Sequence, residues 1–367
     1  MAMVDLTRLT RSAGLAPFAA LSRLTSFAAP AGLTLFAALV WPLVADAGTA
    51  IHFTLDRKID GPAAPFFLAI DKGYFKAEGL DVTIDAATGG PLEAIDRLAT
   101  GASDMGVADI NFLIKFRDSN PGAPIKALFV VFDKPPYAII ARKSRGIVAP
   151  KDLAGKKLGA PAADPAFAAW PIFAKVNGID AAKVVIENVG LPVREPMLAA
   201  GEVDAITGCS FTAYVDLKDR DVPPDDLVVL LMADYGVELY GDAIMASPKF
   251  AQEKPEAVRA FLRAYVKALK DTVRDPARAV DAVLHRNDAT KKDIELERLR
   301  MAIRDNIVTP VVKANGYGSV DPERFDAALD QIALGYHFKA KDKAAAVFDP
   351  SFLPPATERR VNETASR

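Results

Sequence analysis

Short apolar segments alternate with amphipathic segments from residue 51 onwards, and this alternation restarts near residue 150. In the first block, "IHFTLDR", "LDVTIDA" and "DMGVADI" have the β-branched and aromatic composition of strands. In the second block, "KVVIENV" and "VDAITG" have the same character, and helical stretches separate them. Strands that alternate with helices predict an α/β fold with a largely parallel sheet. Two such blocks predict two α/β lobes.

The stretch "APFFLAIDKGYFKAEG" has apolar residues at three- and four-residue spacing, which is typical of a helix. We expect one continuous helix that ends at Gly79, with Tyr74 and Phe75 in the core of the first lobe. A second strong helical pattern follows Pro255, where Val258, Phe261 and further apolar residues recur on one face.

Two similar segments, "YAIIARK" and "GDAIMASPK", flank the second block. If they pair as antiparallel strands, the chain crosses twice between the lobes, and the crossings form a hinge beside a cleft. This interpretation places lobe one at residues 51–143, lobe two at 144–237 and the mostly helical return to lobe one at 238–338. The polar, proline-containing residues 339–367 are expected to be a loose tail.

Residues 1–47 differ from the rest of the chain. Arginines precede an apolar run that ends in "ADA", a small-residue pattern that fits cleavage after Ala47. We therefore expect a signal peptide, export to the periplasm and no lipid attachment, because the cysteine of this chain, Cys209, lies far from the cleavage point. An uncleaved membrane anchor between Pro30 and Pro42 is the alternative.

The composition excludes several classes of function. Lys and Arg number 45 and Asp and Glu 47, so no concentrated basic surface for nucleic acid is expected. One cysteine cannot form an intrachain disulfide, and three histidines without metal-ligand spacing predict no zinc cluster. We expect no catalytic residue, no cofactor and no metal, and hence a binding protein and not an enzyme.

Several motifs occur in a characteristic order. They are "FFLAIDKGYFKAEGLDVTI", "ATGASDMGVAD", "PKDLAGKKLGAP", "LAAGEVDAITG" and "SPKFAQEKPEAVRAFLRAYVKAL". Together they resemble the sulfonate, nitrate and pyrimidine-precursor family of ABC transporter substrate-binding proteins, which includes the thiamine-pyrimidine-synthase-like branch. The resemblance covers about residues 51–337 and implies the type II periplasmic-binding-protein fold, with two interleaved lobes. The synthase carries a cysteine-rich motif at the position of Cys209, where this chain has a single cysteine and not a cluster. This difference argues against an iron-dependent synthase.

The first lobe offers ligand-binding candidates in loops after strands and before helices. Asp60 and Gly61 follow the first strand, and Asp60 is either an acceptor for a ligand or a helix cap. Gly89 and Gly90 follow the second strand, where backbone N–H groups can approach a ligand closely or simply form a turn. Asp109 ends the third strand and is either a ligand contact or the cap of the next helix.

The second lobe and the return crossing supply five more candidates. Asp164 follows a strand and is expected to cap a helix at the cleft. Phe211 and Tyr214 can stack on a planar ligand. Glu238 and Tyr240 lie on the return crossing, and Glu238 is either an acceptor for a nitrogenous solute or an exposed hinge residue.

An acidic, aromatic cleft favours a planar nitrogenous, pyrimidine-like solute. Sulfonate or nitrate is the alternative. The resemblance implies Ser or Thr near residues 162–164 in relatives that bind such oxyanions, whereas this chain has Ala162, Ala163 and Asp164, which argues against this alternative. An enzyme of the same fold and a receptor-type sensor are further alternatives. The resemblance implies a membrane permease and a cytoplasmic ATPase as partners, and we expect a monomer.

Overall fold

The computed structural model describes residues 48–340 and 342–361. The expected signal peptide over 1–47 lies outside the described residues. Among the helices in the described part of the chain, none combines the length and apolar composition that crossing a membrane requires.

Within the described residues, ten strands form two five-stranded mixed sheets. The strands of the first sheet are β1 Thr49–Leu55, β2 Leu80–Ala86, β3 Met105–Asp109, β4 Lys126–Val130 and, much later in the chain, β10 Asp242–Ala246. The strands of the second sheet are β5 Tyr137–Arg142, β6 Lys157–Gly159, β7 Val185–Glu187, β8 Ala205–Cys209 and β9 Leu227–Leu231. The spatial orders are β2-β1-β3-β10-β4 and β7-β6-β8-β5-β9, with β10 and β5 antiparallel to their neighbours. Each sheet and the helices packed on it form one lobe, called lobe one and lobe two.

Helices connect the strands and cover the sheets. They are α1 Ala64–Asp71, α2 Tyr74–Ala77, α3 Pro91–Thr100, α4 Ile110–Ser119, α5 Pro165–Ala168, α6 Trp170–Val176, α7 Arg194–Ala200, α8 Ser210–Lys218, α9 Pro248–Glu253, α10 Pro255–Arg274, α11 Pro276–Ala279, α12 Asp281–Leu284, α13 Lys292–Ala302, α14 Pro310–Asn315, α15 Pro322–Ile332, α16 Ala344–Val347 and α17 Ala356–Arg359. A π-helical turn, Ile303–Ile307, follows α13. The helix expected after Pro255 is confirmed as α10.

The core of lobe one contains a cluster of aromatic rings. Phe261 of α10 stacks on Phe53 of β1 and on Phe75 of α2, with ring centroids 5.1 and 4.7 Å apart. Phe66 of α1 lies 4.6 Å from Tyr265, one helical turn further along α10. Aromatic pairs at these separations stabilise a core beyond the burial of their area.

The prediction of one continuous helix up to Gly79 is wrong, because the helix breaks at Gly73. Gly73 has a φ of +68°, which separates α1 from α2. Phe75 is buried as expected, whereas Tyr74 is half-buried and donates a hydrogen bond from its hydroxyl to Asp271, at 2.5 Å. The break lets the chain turn within the helical segment before it enters β2.

Gly73→Ala should lower the free energy of unfolding by about 1–2 kcal/mol, because a Cβ disfavours the left-handed conformation. Gly122→Ala is the matched control, since the Cβ added at Gly122 would meet free space and Gly122 has no positive φ. We expect the control to stay within about 0.5 kcal/mol of the unmodified protein in urea titrations. Equal stabilities for the two variants would contradict a strained position at Gly73.

The chain crosses between the lobes at residues 131–136 and 232–241. The predicted pairing of the two flanking strands with each other is wrong, because β5 lies in the sheet of lobe two and β10 in that of lobe one. For the same reason the first crossing precedes Tyr137 and does not follow residue 143. The crossings nevertheless lie side by side: Val131 N donates to Asp242 O at 2.8 Å, and Gly241 N donates to Phe132 O at 2.9 Å.

The tail beyond residue 339 is not loose within the described residues, contrary to expectation. Val347 and Phe348 are buried, and Phe348 forms a β-bridge with Ala127 of β4. Further on, Tyr317 N donates to the carbonyl oxygen of Arg359 at 2.8 Å. Apolar residues spaced among polar ones thus anchor this segment on lobe one.

Candidate functional site

A pocket of about 320 Å³ lies between the lobes. It opens at the carboxyl ends of β1, β3, β6 and β8, where ligands of α/β sheets usually bind. Antiparallel β10 begins at the same edge, because Asp242 is the register partner of Asp109. The lining residues of lobe one are Asp56, Arg57, Lys58, Asp60, Pro91, Asp109 and Asp242; those of lobe two and the first crossing are Pro136, Tyr137, Asp164, Pro165, Ala166, Leu191, Cys209 and Thr212.

Asp60 lines the pocket with a carboxylate that accepts no hydrogen bond from the described residues. Its side chain is buried, with 3 % of the residue exposed, and its Oδ1 atom has no hydrogen-bond partner in the described part of the chain. It does not cap the helical turn that follows; instead Gly61 N donates to Oε2 of Glu295 at 2.6 Å. Burial raises the pKa of Asp60 to about 6, while the nearby Arg57 opposes the rise. Asp60 therefore presents an unsatisfied acceptor, mostly ionised at pH 7, to the pocket.

Arg57 neutralises two other carboxylates in the pocket. Its guanidinium donates to Asp56 Oδ1 at 3.1 Å and also pairs with Asp242 Oδ2. Asp56 and Asp242 are 4 % and 5 % exposed. Burial raises the pKa of Asp242 well above its ordinary value, and the charge of Arg57 opposes that rise. The pair joins the loop after β1 to the residue that ends the return crossing.

Asp109 is a helix cap whose second oxygen contacts lobe two. Its Oδ1 accepts from Asn111 N at 2.8 Å, and its Oδ2 accepts from the hydroxyl of Tyr137. Asn111 Nδ2 donates to the carbonyl oxygen of Tyr240 at 2.7 Å. Residues that border both crossings thus share one buried hydrogen-bond network, which leaves Asp109 little capacity for a ligand.

Asp164 is also satisfied internally. Its Oδ1 accepts from Ala166 N at 3.0 Å, and its Oδ2 accepts from Thr207 Oγ1 at 2.7 Å and from Arg194 Nη1 at 3.2 Å. Arg194 pairs in turn with Glu195 at 2.5 Å. Asp164 therefore positions α5 at the edge of the pocket, as the cap interpretation requires.

Asp60, Asp109 and Asp164 are brought together in the pocket, but the other candidates are not. Gly61 is buried against Glu295, and Gly89 N donates to Oε2 of Glu93 at 2.5 Å. Gly90 has a φ of +77° and directs the chain into Pro91, which does line the pocket.

The aromatic and hinge candidates lie elsewhere. Phe211 is buried edge-on against Phe132, and Tyr214 lines a different cavity. Tyr240 is buried, stacks on Phe325 and accepts a hydrogen bond from Asp321 N at 2.9 Å. The side chain of Glu238 is exposed. Tyr137 is the aromatic residue among the described lining residues, so the pocket is acidic as expected but less aromatic.

Sequence reasoning missed Arg57, Tyr137, Arg194 and Asp242. Arg57 is the second residue after β1, and Asp242 is the first residue of β10, so their positions at strand ends could have suggested them. Arg194 lies in α7 and reaches Asp164 from 30 residues away. No local pattern indicates that contact.

In the described part of the chain, no group of three or more His, Cys, Asp and Glu side chains is arranged to hold a metal ion. Cys209 lines the pocket, and burial raises the pKa of its thiol to about 11. The thiol is therefore protonated at neutral pH and a poor nucleophile.

Comparison with known proteins gives three relatives of interest. The riboflavin-binding protein RibY of Chloroflexus aurantiacus is 27 % identical over 238 residues, 64 % of this chain and 66 % of the relative, just under two thirds of its length. The formylaminopyrimidine-binding protein of Halalkalibacterium halodurans is 25 % identical over 271 residues, 72 % of this chain and 79 % of the relative. The 4-amino-5-hydroxymethyl-2-methylpyrimidine phosphate synthase of Schizosaccharomyces pombe is 24 % identical over 229 residues, 60 % of this chain and 65 % of the relative.

Solved structures share the architecture. The periplasmic aliphatic sulphonate binding protein of Escherichia coli superposes with a TM-score of 0.62 at 13 % identity, over 78 % of this chain and 91 % of that one. The two interleaved lobes are therefore those of the periplasmic binding protein fold, as expected from the sequence. The family model described as "NMT1/THI5 like" matches residues 62–279, more than half of the 367 residues. The chain belongs to the NMT1/THI5-like family.

Proposed function

We propose that this protein is the solute-binding component of an ABC importer and captures one small organic molecule between its lobes. The observation that carries the proposal is the interlobe pocket, which both lobes line and in which the buried Asp60 has an acceptor without a partner among the residues that the structure describes. Relatives named as riboflavin- and formylaminopyrimidine-binding proteins support a binding role.

Capture would proceed by a hinge movement about the two crossings. An open form admits the solute, closure buries it, and the closed form docks on a membrane permease driven by a cytoplasmic ATPase. This scheme requires export to the periplasm with removal of residues 1–47, and a monomer suffices for it.

The solute class that suits the pocket is a small planar nitrogenous molecule that donates an N–H to Asp60. The side chains of Pro91, Pro136, Pro165 and Leu191 offer apolar contact to a flat ring. Its volume lies at the lower end of the range for ligand sites, which favours a single or fused ring over a larger molecule. A pyrimidine-like solute meets these requirements.

Charge argues against sulfonate or nitrate. Five aspartates line the pocket against two basic residues, Arg57 and Lys58. Arg57 is already paired with two of the aspartates. An oxyanion would therefore lie near Asp60 with little compensation, which costs free energy.

An enzyme related to the pyrimidine phosphate synthases is the second candidate, because such synthases match about 60 % of the chain. The pocket gives it less support. None of the three histidines lines the pocket, and His52 is held in β1 by Asp85 at 3.1 Å. Cys209 is held as a thiol by burial.

Native mass spectrometry of the purified protein tests the proposal by seeking a co-purified small molecule. Calorimetric titration then compares 4-aminopyrimidine, which has an N–H donor, with ethanesulfonate, which is an anion. We expect saturable binding and thermal stabilisation by the pyrimidine, about 2.7 kcal/mol at a hundredfold excess over its dissociation constant. Stabilisation by ethanesulfonate or nitrate alone would contradict the solute class, and chemical conversion of a bound pyrimidine would contradict the binding role.

A further inference from the structure

A second cavity, of about 540 Å³, shares no lining residue with the interlobe pocket. Its walls come from α8 and β9 of lobe two and from α13 and the π-helical turn of lobe one. We propose that this cavity is a second binding site, which takes a small molecule with one carboxylate on a planar apolar body. The proposed ligand occupies a different site from the solute of the interlobe pocket.

The charges in the cavity leave one cation without a partner. Three acids line it, and each has a basic partner: Glu297 pairs with Lys218 at 2.5 Å, Asp234 with Lys134 at 2.6 Å and Asp305 with Arg304 at 2.6 Å. Arg300 also lines the cavity, and its side chain makes no ion pair or hydrogen bond with any described residue. The unbalanced charge is therefore positive, and the guanidinium matches a carboxylate geometrically.

Apolar and polar groups are separated inside the cavity. Val229, Leu231, Met301 and the ring of Tyr214 provide apolar contact. Ser210 is 2 % exposed, and its Oγ has no hydrogen-bond partner among the described residues. A ligand can place its carboxylate at the exposed Arg300, its ring on the apolar wall and a polar atom at Ser210. Buried polar groups normally have a partner, so the lone hydroxyl points to a ligand atom there.

The π-helical turn Ile303–Ile307 shapes this cavity. It places Arg304 and Asp305 in the lining, while Asn306 Nδ2 donates to the carbonyl oxygen of Lys134 at 3.0 Å. The turn ends α13 and so fixes where these two side chains lie in the cavity wall. The lone hydroxyl of Ser210 is the second observation, separate from the charges, that favours a binding role.

Ligand-observed ¹⁹F NMR with 4-fluorobenzoate tests the proposal, and 4-fluorobenzamide is the neutral probe of the same shape. We expect saturable binding of the benzoate to the unmodified protein and at least fivefold weaker binding of the benzamide. Arg300→Gln should weaken benzoate binding five- to tenfold, since it removes a charge-assisted hydrogen bond. Arg278→Gln is the matched control, because Arg278 is also exposed, has no ion pair among the described residues and lies outside the cavity.

A further variant locates the probe. Lys58 lines the interlobe pocket and forms no ion pair with a described residue, so it would be the contact if benzoate bound there instead; Lys58→Gln should leave benzoate binding unchanged. Binding that is lost in Lys58→Gln, or retained fully in Arg300→Gln, overturns the proposal, as does equal affinity for the two probes or no saturable binding at all. Titration of 4-aminopyrimidine into Arg300→Gln keeps the two sites distinct, since its affinity should equal that of the unmodified protein.

Discussion

Asp60→Asn should increase the stability of the protein at pH 7 by about 2–3 kcal/mol. The pKa of Asp60 is raised to about 6 from an ordinary 3.8 because the carboxylate is buried, and each unit corresponds to about 1.4 kcal/mol. Between these two values the folded protein holds a proton that the unfolded chain has released, so the stability of the unmodified protein falls as the pH rises from about 4 to 6. The amide has no charge to desolvate and avoids this loss.

Urea titrations at pH 7 and at pH 4 measure the effect. The gain from Asp60→Asn should be full at pH 7 and nearly absent at pH 4, where the carboxyl is protonated in the folded protein. Asp81→Asn, at an exposed position in β2, is the control and should change stability by less than about 0.5 kcal/mol at either pH. A loss of stability at pH 7 would show that Asp60 has a partner in the folded protein.

The same substitution should weaken the binding of 4-aminopyrimidine ten- to hundredfold, because a charged acceptor contributes about 1.5–3 kcal/mol to a hydrogen bond. Greater stability together with poorer binding is the signature of a residue kept for function at the expense of the fold. Calorimetric titration of both proteins decides the point. An unchanged dissociation constant would remove Asp60 from the solute site.

The sequence predicted the architecture well because the fold depends on local patterns. Strand and helix periodicity placed Asp60, Asp109 and Asp164 at strand ends, and the structure gathers these three at one pocket. Phe211 and Tyr214 also follow a strand, but the orientation of α8 about its axis places Phe211 in the core and Tyr214 in the wall of the second cavity. That rotation depends on packing against α13, which lies about 80 residues away along the chain.

Long-range contacts account for the remaining differences. The two flanking segments resemble each other, yet each strand inserts into a different sheet, and sequence similarity cannot show which strands are neighbours. Arg57 and Asp242 lie 185 residues apart, so their pairing has no local signal. The sequence could not show whether Asp60 caps the helical turn that follows it. The backbone N–H of Gly61 donates to Glu295 of α13 instead, and no local pattern indicates that contact.

Arg57→Gln should lower the free energy of unfolding by about 3–5 kcal/mol at pH 8, because it leaves Asp56 and Asp242 buried without a cation. Arg57 opposes the rise in the pKa of Asp242 that burial causes. Its removal should raise that pKa further, so the folded variant takes up a proton at higher pH than the unmodified protein. Protonated Asp242 needs no cation, and the loss of stability should therefore shrink as the pH is lowered to 5.

A double-mutant cycle isolates the pair. Arg57→Gln combined with Asp242→Asn should be more stable than Arg57→Gln alone, because the second change removes the uncompensated charge. Arg263→Gln is the control: Arg263 pairs with Glu78 at 2.7 Å, but both side chains are about one third exposed, so its loss should cost less than about 1 kcal/mol. If the effects of Arg57→Gln and Asp242→Asn simply added, the two residues would not be coupled.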